Sequence, residues 1–391
     1  MNDEICVYHD WLIDQKWFSQ TTFKDPSITK GKINALHQQL VQIKRNLMPT
    51  AVHASKTSKG LLTSYQIFSK ARRICNPFEM LGEGRAGGLN NIFINRSAIK
   101  LANINSNLGF VLTSAAERGK FYFVDLCAAP GGFSEYLFHY VGRCFTNDTE
   151  IRGFGMSLAG GNEHCQGIEW KLHNYQFKNM HYHICNGADG TGDIYNWDNV
   201  LALKNLIQDS PIDAVFCDGG IDAQRDHEDQ EQVAQKLVVC QVAAGLSILS
   251  CDGSLLVKLF GFQTKITQTM IKELAFLFKD FIVTKPISSR PASAERYLVL
   301  YGFNGLPTSF DGRKWRDSMF LGLPTVRNNS DVDSRVLSYL ELTDHALIQL
   351  NLKACFAILS MMQQHQTLIS ESPNRNEHHV VVAEYKKAWR L

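Results

Sequence analysis

FYFVDLCAAPGGFSEY, residues 121–136, is the stretch that decides the fold of this chain. It begins with strand-forming residues, continues through a turn with one proline and two glycines, and ends with the apolar spacing of an amphipathic helix. Open α/β sheets bind nucleotide-like ligands with such a turn, beyond the end of a buried strand. The turn lacks the G-x-G-x-x-G spacing of dinucleotide sites and the G-K-[ST] ending of phosphate loops. We therefore expect a nucleoside ligand of another kind.

The rest of the chain continues the alternation of strands and helices. Strands are predicted at 151–158, 181–185, 211–220, 253–260, 281–284 and 297–301, and helices at 230–249 and 264–279. This order predicts an α/β fold with a Rossmann-like, mostly parallel sheet and helices on both faces. Three regions are predicted: a helical lead-in at 1–50, a catalytic domain at 51–304 and a helical extension at 305–391, whose helix from Thr343 we expect to pack on the domain.

The composition is that of an ordinary soluble protein. Apolar residues make up 45% of the 391 residues, charged residues 20%, and the net charge of +2 does not by itself indicate a nucleic-acid partner. No apolar run approaches the roughly 18 residues of a membrane span, and the first ten residues do not resemble a signal peptide. We expect an intracellular protein without a membrane partner. Its ten cysteines lack C-x-x-C pairs, which favours reduced thiols.

Positive charge is concentrated in residues 51–100. Eight lysines and arginines face only Glu79 and Glu83 there, and aromatic residues lie among them. This composition is expected where a phosphate chain and stacked bases are bound, although a solvated basic helix face has the same pattern. The cations are Lys56, Lys59, Lys70, Arg72, Arg73, Arg85, Arg96 and Lys100, and the aromatic residues are Tyr65, Phe68 and Phe78.

Two further segments have the features of binding sites. The predicted strand 181–185 places two histidines and a cysteine on one face, but no fourth ligand is in view and we expect no metal. The loop 186–194, NGADGTGDI, follows that strand. In a doubly wound sheet, the loops at the carboxyl ends of the strands contact the cofactor. A calcium loop is the alternative, but the regular acid spacing and the terminal glutamate are absent.

Seven motifs in order resemble a known family. They are FINRSAIKLANIN, LCAAPGGFSEYLF, GFGMSLAG, GADGTGDI, CDGG, LLVKLF and KPISSRPASAERYLV, and the resemblance covers residues 70–302. The chain is similar to FtsJ-type ribose 2'-O-methyltransferases, and within them to the eukaryotic-type enzymes that methylate the first transcribed nucleotide of capped mRNA. The glycine-rich insertion at 81–91 departs from the family pattern. No G-patch, WW or guanylyltransferase-like region is evident, so we carry over none of the functions of such regions.

The resemblance implies a set of site residues, a cofactor and a substrate. It implies a catalytic Lys-Asp-Lys-Glu tetrad made of Lys100, Asp218, Lys258 and Glu295. It implies S-adenosylmethionine as cofactor, S-adenosylhomocysteine as product, and capped mRNA as partner. The cofactor would be bound by Asn95, Cys127, Ala128, Ala129, Pro130, Gly131, Gly132, Phe133, Asp193 and Ile194. Lys59, Arg72 and Glu228 would lie on the cap and RNA path.

Lys258 is the candidate general base. It interrupts an apolar run, where an unpaired charge is costly, and a ribose hydroxyl needs a base to take its proton. To act near neutral pH, its pKa would have to fall from about 10.4 to about 7 or 8. Asp218 and Glu295 favour the charged amine, so we expect burial, Lys100 and the cationic sulfonium to outweigh them and lower the pKa of Lys258.

Two alternatives remain open at this point. A 2'-O-methyltransferase of ribosomal or transfer RNA would share the tetrad without needing a cap pocket. A non-catalytic RNA- or cap-binding module would keep the fold, although an intact tetrad argues against it. We expect the protein in the nucleus if its source is cellular and in the cytoplasm if it is viral.

Overall fold

The structure is a computed structural model that describes most of the chain. The described residues are 30–47, 64–76, 78–79, 93–145, 148–159, 169–172, 179–208, 210–220, 230–323, 330–363 and 383–391. The strands are β1 (Lys120–Leu126), β2 (Glu150–Met156), β3 (Met180–Cys185), β4 (Ile212–Cys217), β5 (Leu249–Leu259), β6 (Phe278–Thr284) and β7 (Arg296–Phe303). The helices are α1 (Lys30–Leu47), α2 (Ser64–Ile74), α3 (Arg96–Asn107), α4 (Gly132–Cys144), α5 (Trp197–Ile207), α6 (Gln230–Ile248), α7 (Lys265–Leu277), α8 (Gly312–Phe320) and α9 (Ser330–Gln363).

The seven strands form one sheet in the order β3-β2-β1-β4-β5-β7-β6. The first five are parallel, and β7 runs antiparallel to both of its neighbours. The strands at the centre are buried almost throughout, as expected of a parallel sheet covered on both faces. The predicted fold is thus confirmed. The strand order reverses between β1 and β4, and in such sheets the ligand crevice lies at the carboxyl ends of those two strands.

Capping residues explain where several helices begin. The Asn95 side chain accepts a hydrogen bond from Ser97 N (2.9 Å) and fixes the start of α3. Thr264 caps α7, and Asp311 caps α8 by accepting from Arg313 N and Lys314 N.

The predicted bounds of two elements are too short. β5 begins at Leu249 rather than 253, and α9 begins at Ser330 rather than 343. Between residues 334 and 342 only Val336 and Leu340 are buried, so apolar residues do not follow one another along one face there. A pattern based on a continuous apolar face therefore finds only the second part of this helix.

The long helix α9 packs against the N-terminal helices. Apolar residues of α1, α2 and α9 form a second core beside the one around the sheet: Leu40, Ile43, Ile67, Phe68, Ala71, Ile348, Leu352, Cys355, Ile358 and Met361. A window of 18 residues within 334–363 has a mean hydropathy of 1.3, enough for a membrane span by length and composition alone. Half of that window is buried inside the protein, as in a core helix.

Candidate active site

The turn after β1 is anchored to the end of β2. Cys127 N and Ala128 N both donate to Met156 O, at 2.7 and 3.4 Å, and Gly131 N donates to Ala128 O at 2.7 Å. Cys127 has a φ of 56°, which is strained for a residue with a side chain, and Gly131 has a φ of 108°, which favours glycine. The turn therefore has a fixed shape at the carboxyl end of β1, where the topology places the ligand crevice.

Asn95 and the turn are in direct contact. A Cβ atom on Gly132 would overlap Asn95 Oδ1 and Ser97 Oγ, so only glycine allows the cap of α3 to approach the start of α4 this closely. Phe133, the next residue, is buried against the rings of Phe216 and Tyr297. The structure thus brings Asn95 together with the 127–133 turn, as the sequence predicts.

Asp125 lies behind the turn with one carboxylate oxygen unused. Its Oδ2 accepts from Ser134 N (3.2 Å) and Ser134 Oγ (2.7 Å), and its buried Oδ1 has no partner among the described residues. Burial raises the pKa of Asp125 to about 7, although the Ser134 hydrogen bonds act against this and Asp218 adds to it. A buried carboxylate with a free oxygen favours a ligand that is cationic or donates hydrogen bonds.

The loop 186–194 meets the same crevice. Ala159 N, just beyond β2, donates to Thr191 O at 2.7 Å, while Asp193 Oδ1 accepts from Tyr195 N and Ile194 is buried. Burial raises the pKa of the Cys127 thiol to about 12, and Lys258 and Asp193 are among the charges that also act on it. The loop 186–194 and the turn after β1 are thus both hydrogen-bonded to the carboxyl end of β2, at Ala159 and Met156. Asp189, by contrast, uses its side chain within the loop, to accept from Thr191 and Asn196.

The four tetrad candidates meet in two ion pairs. Lys258 Nζ lies 3.2 Å from Asp218 Oδ1 and donates to Asp218 O at 2.5 Å. Lys100 Nζ lies 2.8 Å from Glu295 Oε2. All four side chains are less than a fifth exposed, and they come from α3, the end of β4, β5 and the start of β7. The structure thus assembles at one place four residues that are far apart in the sequence.

The electrostatics of Lys258 differ from the prediction. Burial acts to lower the pKa of this amine, but the carboxylates of Asp218 and Glu295 outweigh it, so the pKa is raised. For Glu295, burial acts to raise the pKa, but Lys100 and Lys258 outweigh it and the pKa is lowered. The predicted low pKa of Lys258 is therefore wrong for this state, because Asp218 and Glu295 outweigh the effect of burial. Lys258 is therefore an ammonium ion at neutral pH in this structure.

Three residues that the sequence did not single out support the tetrad. Tyr297 OH donates to Asp218 Oδ1 (2.8 Å), and Ser289 Oγ donates to Glu295 Oε1 (2.7 Å). Gln241 of α6 is fully buried, and its Oε1 accepts from Gly219 N (2.9 Å), directly after Asp218. Tyr297 lies two residues after Glu295, a strand spacing that could have pointed to it. No sequence signal marks Gln241.

The predicted cap and RNA path is only partly described. Lys59, Glu228 and the Tyr65 side chain lie outside the described residues. Arg72 Nη2 lies 3.4 Å from Glu79 Oε2, and the carboxylate of Glu79 is also contacted by Arg96 Nη1 (3.1 Å) and Arg290 Nε (2.7 Å).

The aromatic residues of this path that the structure describes belong to the core. Phe68 lies beneath the Arg72 guanidinium, and both it and Phe78 are buried. The basic composition of this segment thus partly reflects internal ion pairing and packing.

Comparisons with known proteins identify a family and several relatives. The family model of FtsJ-like methyltransferases matches residues 93–303, more than half of the chain. The cap-specific mRNA (nucleoside-2'-O-)-methyltransferase 1 of Xenopus laevis is 31% identical over 312 residues, which cover 73% of this chain and 34% of that protein. The mouse protein of the same name is 29% identical over 354 residues, which cover 82% and 39%.

Among solved structures, a putative ribosomal RNA methyltransferase from Plasmodium falciparum is 19% identical, with a TM-score of 0.38, and the match covers 54% of this chain and 99% of that one. The chain spans between a third and two fifths of the length of the two curated relatives. The match to the family model extends from the residues before α3 to the end of β7 and includes all four tetrad candidates. The chain belongs to the FtsJ-like methyltransferase family.

Proposed function

We propose that the protein transfers a methyl group from S-adenosylmethionine to the ribose 2'-hydroxyl of the first transcribed nucleotide of N7-methylguanosine-capped mRNA. One observation carries this proposal: two ion pairs lie beside the glycine turn of a methyltransferase fold. They join Lys258 to Asp218 and Lys100 to Glu295. The preference for capped mRNA is supported by the names of the relatives and by the ordered motifs.

The crevice has the groups that S-adenosylmethionine requires. The unused Oδ1 of Asp125 and the carboxylate of Asp193 complement an ammonium group or ribose hydroxyls, and the N-terminus of α4 complements a carboxylate. Asn95, the 127–133 turn, Asp193 and Ile194 would hold the cofactor. When bound, it supplies an electrophilic methyl group on a sulfonium, whose positive charge opposes that of the Lys258 ammonium.

The chain's own residues would then prepare the hydroxyl. Asp218 fixes the Lys258 amine through its carboxylate and its carbonyl oxygen, and Tyr297 fixes that carboxylate in turn. Because the pKa of Lys258 is raised, the amine must lose its proton before it can accept one from the ribose hydroxyl. The rate of methyl transfer should therefore increase as the pH rises above neutral. Lys100, held by Glu295, would orient the ribose.

A methyl-transfer assay with three RNAs tests the substrate. Capped, uncapped triphosphate and structured ribosomal or transfer RNAs are compared, and nuclease digestion with mass spectrometry locates the methyl group. We expect methylation at the first nucleotide of capped RNA in preference to the other two substrates. If the methyl group appears at internal positions, or if removing the cap leaves the rate unchanged, the ribosomal or transfer RNA alternative replaces the cap assignment. RNA binding without any transfer would favour the non-catalytic module.

A matched pair of lysine variants tests the proposed base. Lys258→Ala should lower the rate by roughly 100-fold or more, while the affinity for S-adenosylmethionine stays within a few-fold. Lys279→Ala, which removes an exposed lysine paired with Asp252, should leave both unchanged. If Lys258→Ala keeps more than about a tenth of the wild-type rate, Lys258 is not the base.

A further inference from the structure

We propose that Asn351 of α9, outside the residues that the family model matches, is a positioning residue for Glu295. This inference rests on the proposed function, because Glu295 is one of the four groups assigned to methyl transfer. It also gives α9 a role that the sequence left undefined. The side chain of Asn351 would act from behind the site, through backbone carbonyls, without touching RNA or cofactor.

Glu295 lies at the end of an irregular segment between β6 and β7. Residues 285–295 have no regular secondary structure, and short turns organise the segment, with hydrogen bonds from Ser289 N to Pro286 O and from Ser293 N to Arg290 O. Such turns leave other backbone carbonyls of the segment without a partner in a helix or a sheet. A buried carbonyl needs a donor from elsewhere, so outside groups must fix the path of this segment.

Three alternate carbonyls of this segment accept hydrogen bonds from two buried side chains. Asn351 Nδ2 donates to Pro291 O and to Ser293 O, the latter at 2.8 Å. Lys285 Nζ donates to Ser293 O and to Glu295 O, both at 2.7 Å. Asn351 and Lys285 are only 1% and 2% exposed, so water cannot replace them. Asn351 and Lys285 share the acceptor Ser293 O, and Lys285 also donates to Glu295 O. Asn351 is therefore linked to the backbone of Glu295 through Ser293 O and Lys285.

The same helix also fixes the residue after Glu295. Arg296 Nη1 lies 2.7 Å from Asp344 Oδ1, and both side chains are almost completely buried. His37 Nε2 of α1 lies 3.0 Å from Asp344 Oδ2, and Gln263 Nε2 donates to the same oxygen. Asp344 precedes Asn351 by seven residues, or two helical turns, so one face of α9 contacts the chain before and after Glu295.

The carboxylate of Glu295 makes two contacts that depend on this position. It lies 2.8 Å from Lys100 Nζ and accepts from Ser289 Oγ at 2.7 Å. A shift of about 1 Å would lengthen both contacts, and a misplacement of that size in an active site can lower a rate about 100-fold. Loss of the Asn351 donors should therefore affect turnover more than binding.

The test uses Asn351→Leu in the full chain, which keeps the branching and the number of heavy atoms of the side chain and removes both N–H donors. Ile358→Ala is the matched control, because Ile358 lies two turns further along α9, is buried in the second core and has no polar group. Hydrogen exchange of the 286–295 amides is measured without cofactor or RNA. We expect exchange about tenfold faster in Asn351→Leu and unchanged in Ile358→Ala.

The second readout separates turnover from binding. We expect kcat of Asn351→Leu to fall by about 10- to 100-fold, while KM for RNA and Kd for S-adenosylmethionine stay within about twofold. If Asn351→Leu does not fold, Asn351→Ser, which keeps one donor on a shorter side chain, is used and should show a smaller change of the same kind.

Three results would overturn the inference. They are unchanged exchange in the Asn351 variant, faster exchange with normal kcat, or an equal loss of kcat in Ile358→Ala at a similar melting temperature. If the wild-type protein transfers no methyl group to RNA, the proposed function fails. The exchange measurement then decides separately whether Asn351 holds the segment.

Discussion

Glu79 offers a quantitative test of how the region beside the tetrad is held together. Its carboxylate is 3% exposed and is contacted by Arg290 at 2.7 Å, Arg96 at 3.1 Å and Arg72 at 3.4 Å. We predict that Glu79→Gln, which keeps the shape and removes the charge, destabilises the protein. Two opposite unit charges about 4 Å apart attract each other by about 4 kcal/mol at an effective dielectric of 20. The desolvation cost of burying the charges and the repulsion among the three arginines reduce the net contribution of each pair.

The net loss should be about 3 kcal/mol, at the lower end for a broken buried ion pair, because glutamine can still accept hydrogen bonds. This corresponds to a decrease in melting temperature of about 4 °C in a chain of this size. Calorimetry and denaturant titration measure the two quantities. Asp252→Asn, which removes one partner of the exposed pair with Lys279, is the control and should leave the melting temperature unchanged.

The pH dependence gives a second check on Glu79. Burial acts to raise the pKa of Glu79, but Arg96 and Arg290 outweigh it, so the pKa lies below its usual value. A lowered folded-state pKa means that the stabilisation is complete above the unfolded value of about 4.3 and is lost as the pH falls through the folded value. The difference between wild type and Glu79→Gln should therefore be constant from pH 6 to 8 and shrink in acid. A difference below about 1 kcal/mol at pH 7 would refute this account of the arginine cluster.

Three further predictions concern the cofactor crevice and the segment before β7. Asp193→Ala should weaken binding of S-adenosylmethionine in calorimetry, and unchanged affinity would transfer the role to Asp189. Gly132→Ala should weaken the same binding at least tenfold, because the new Cβ would displace Asn95, whereas unchanged affinity would show that the contact can relax. Burial lowers the pKa of Lys285 to about 7, although Glu295 acts against this, so above pH 7 the folded state binds fewer protons than the unfolded state. The stability of wild type relative to Lys285→Met should then rise by about 1.4 kcal/mol per pH unit from pH 7.5 to 9.5, and a flat difference would contradict the low pKa.

Much of the fold and part of the site could be predicted from local sequence. The β1 turn and the lysine inside β5 break regular patterns, and such breaks mark functional positions. The direction of β7 was not predicted, although a connection of only eleven residues from β6, without a helix, is too short for a parallel crossover.

Other features depend on distances that no local pattern contains. The pKa of Lys258 is a balance of burial against two carboxylates, and the direction of its shift depends on how close Asp218 and Glu295 lie to the amine. The family resemblance and the basic composition predict that Arg72 lies on the RNA path, and only the tertiary structure shows that Arg72 also pairs with Glu79, seven residues further on. Asn351 and Gln241 lie in helices with apolar surroundings, and only the tertiary structure shows which carbonyl or amide each one contacts.

The position of β7 between β5 and β6 also has a consequence for biosynthesis. A chain emerging from the ribosome can pair β1 to β5 in order, but β6 has no neighbour until β7 has been translated. Until residue 303 is available, β5 has an unpaired edge with buried-type residues such as Leu256, and such edges favour association with other chains. The strand that closes this edge also carries Tyr297 and directly follows Glu295, so the nascent protein becomes protected against aggregation and gains its last site residues in the same step.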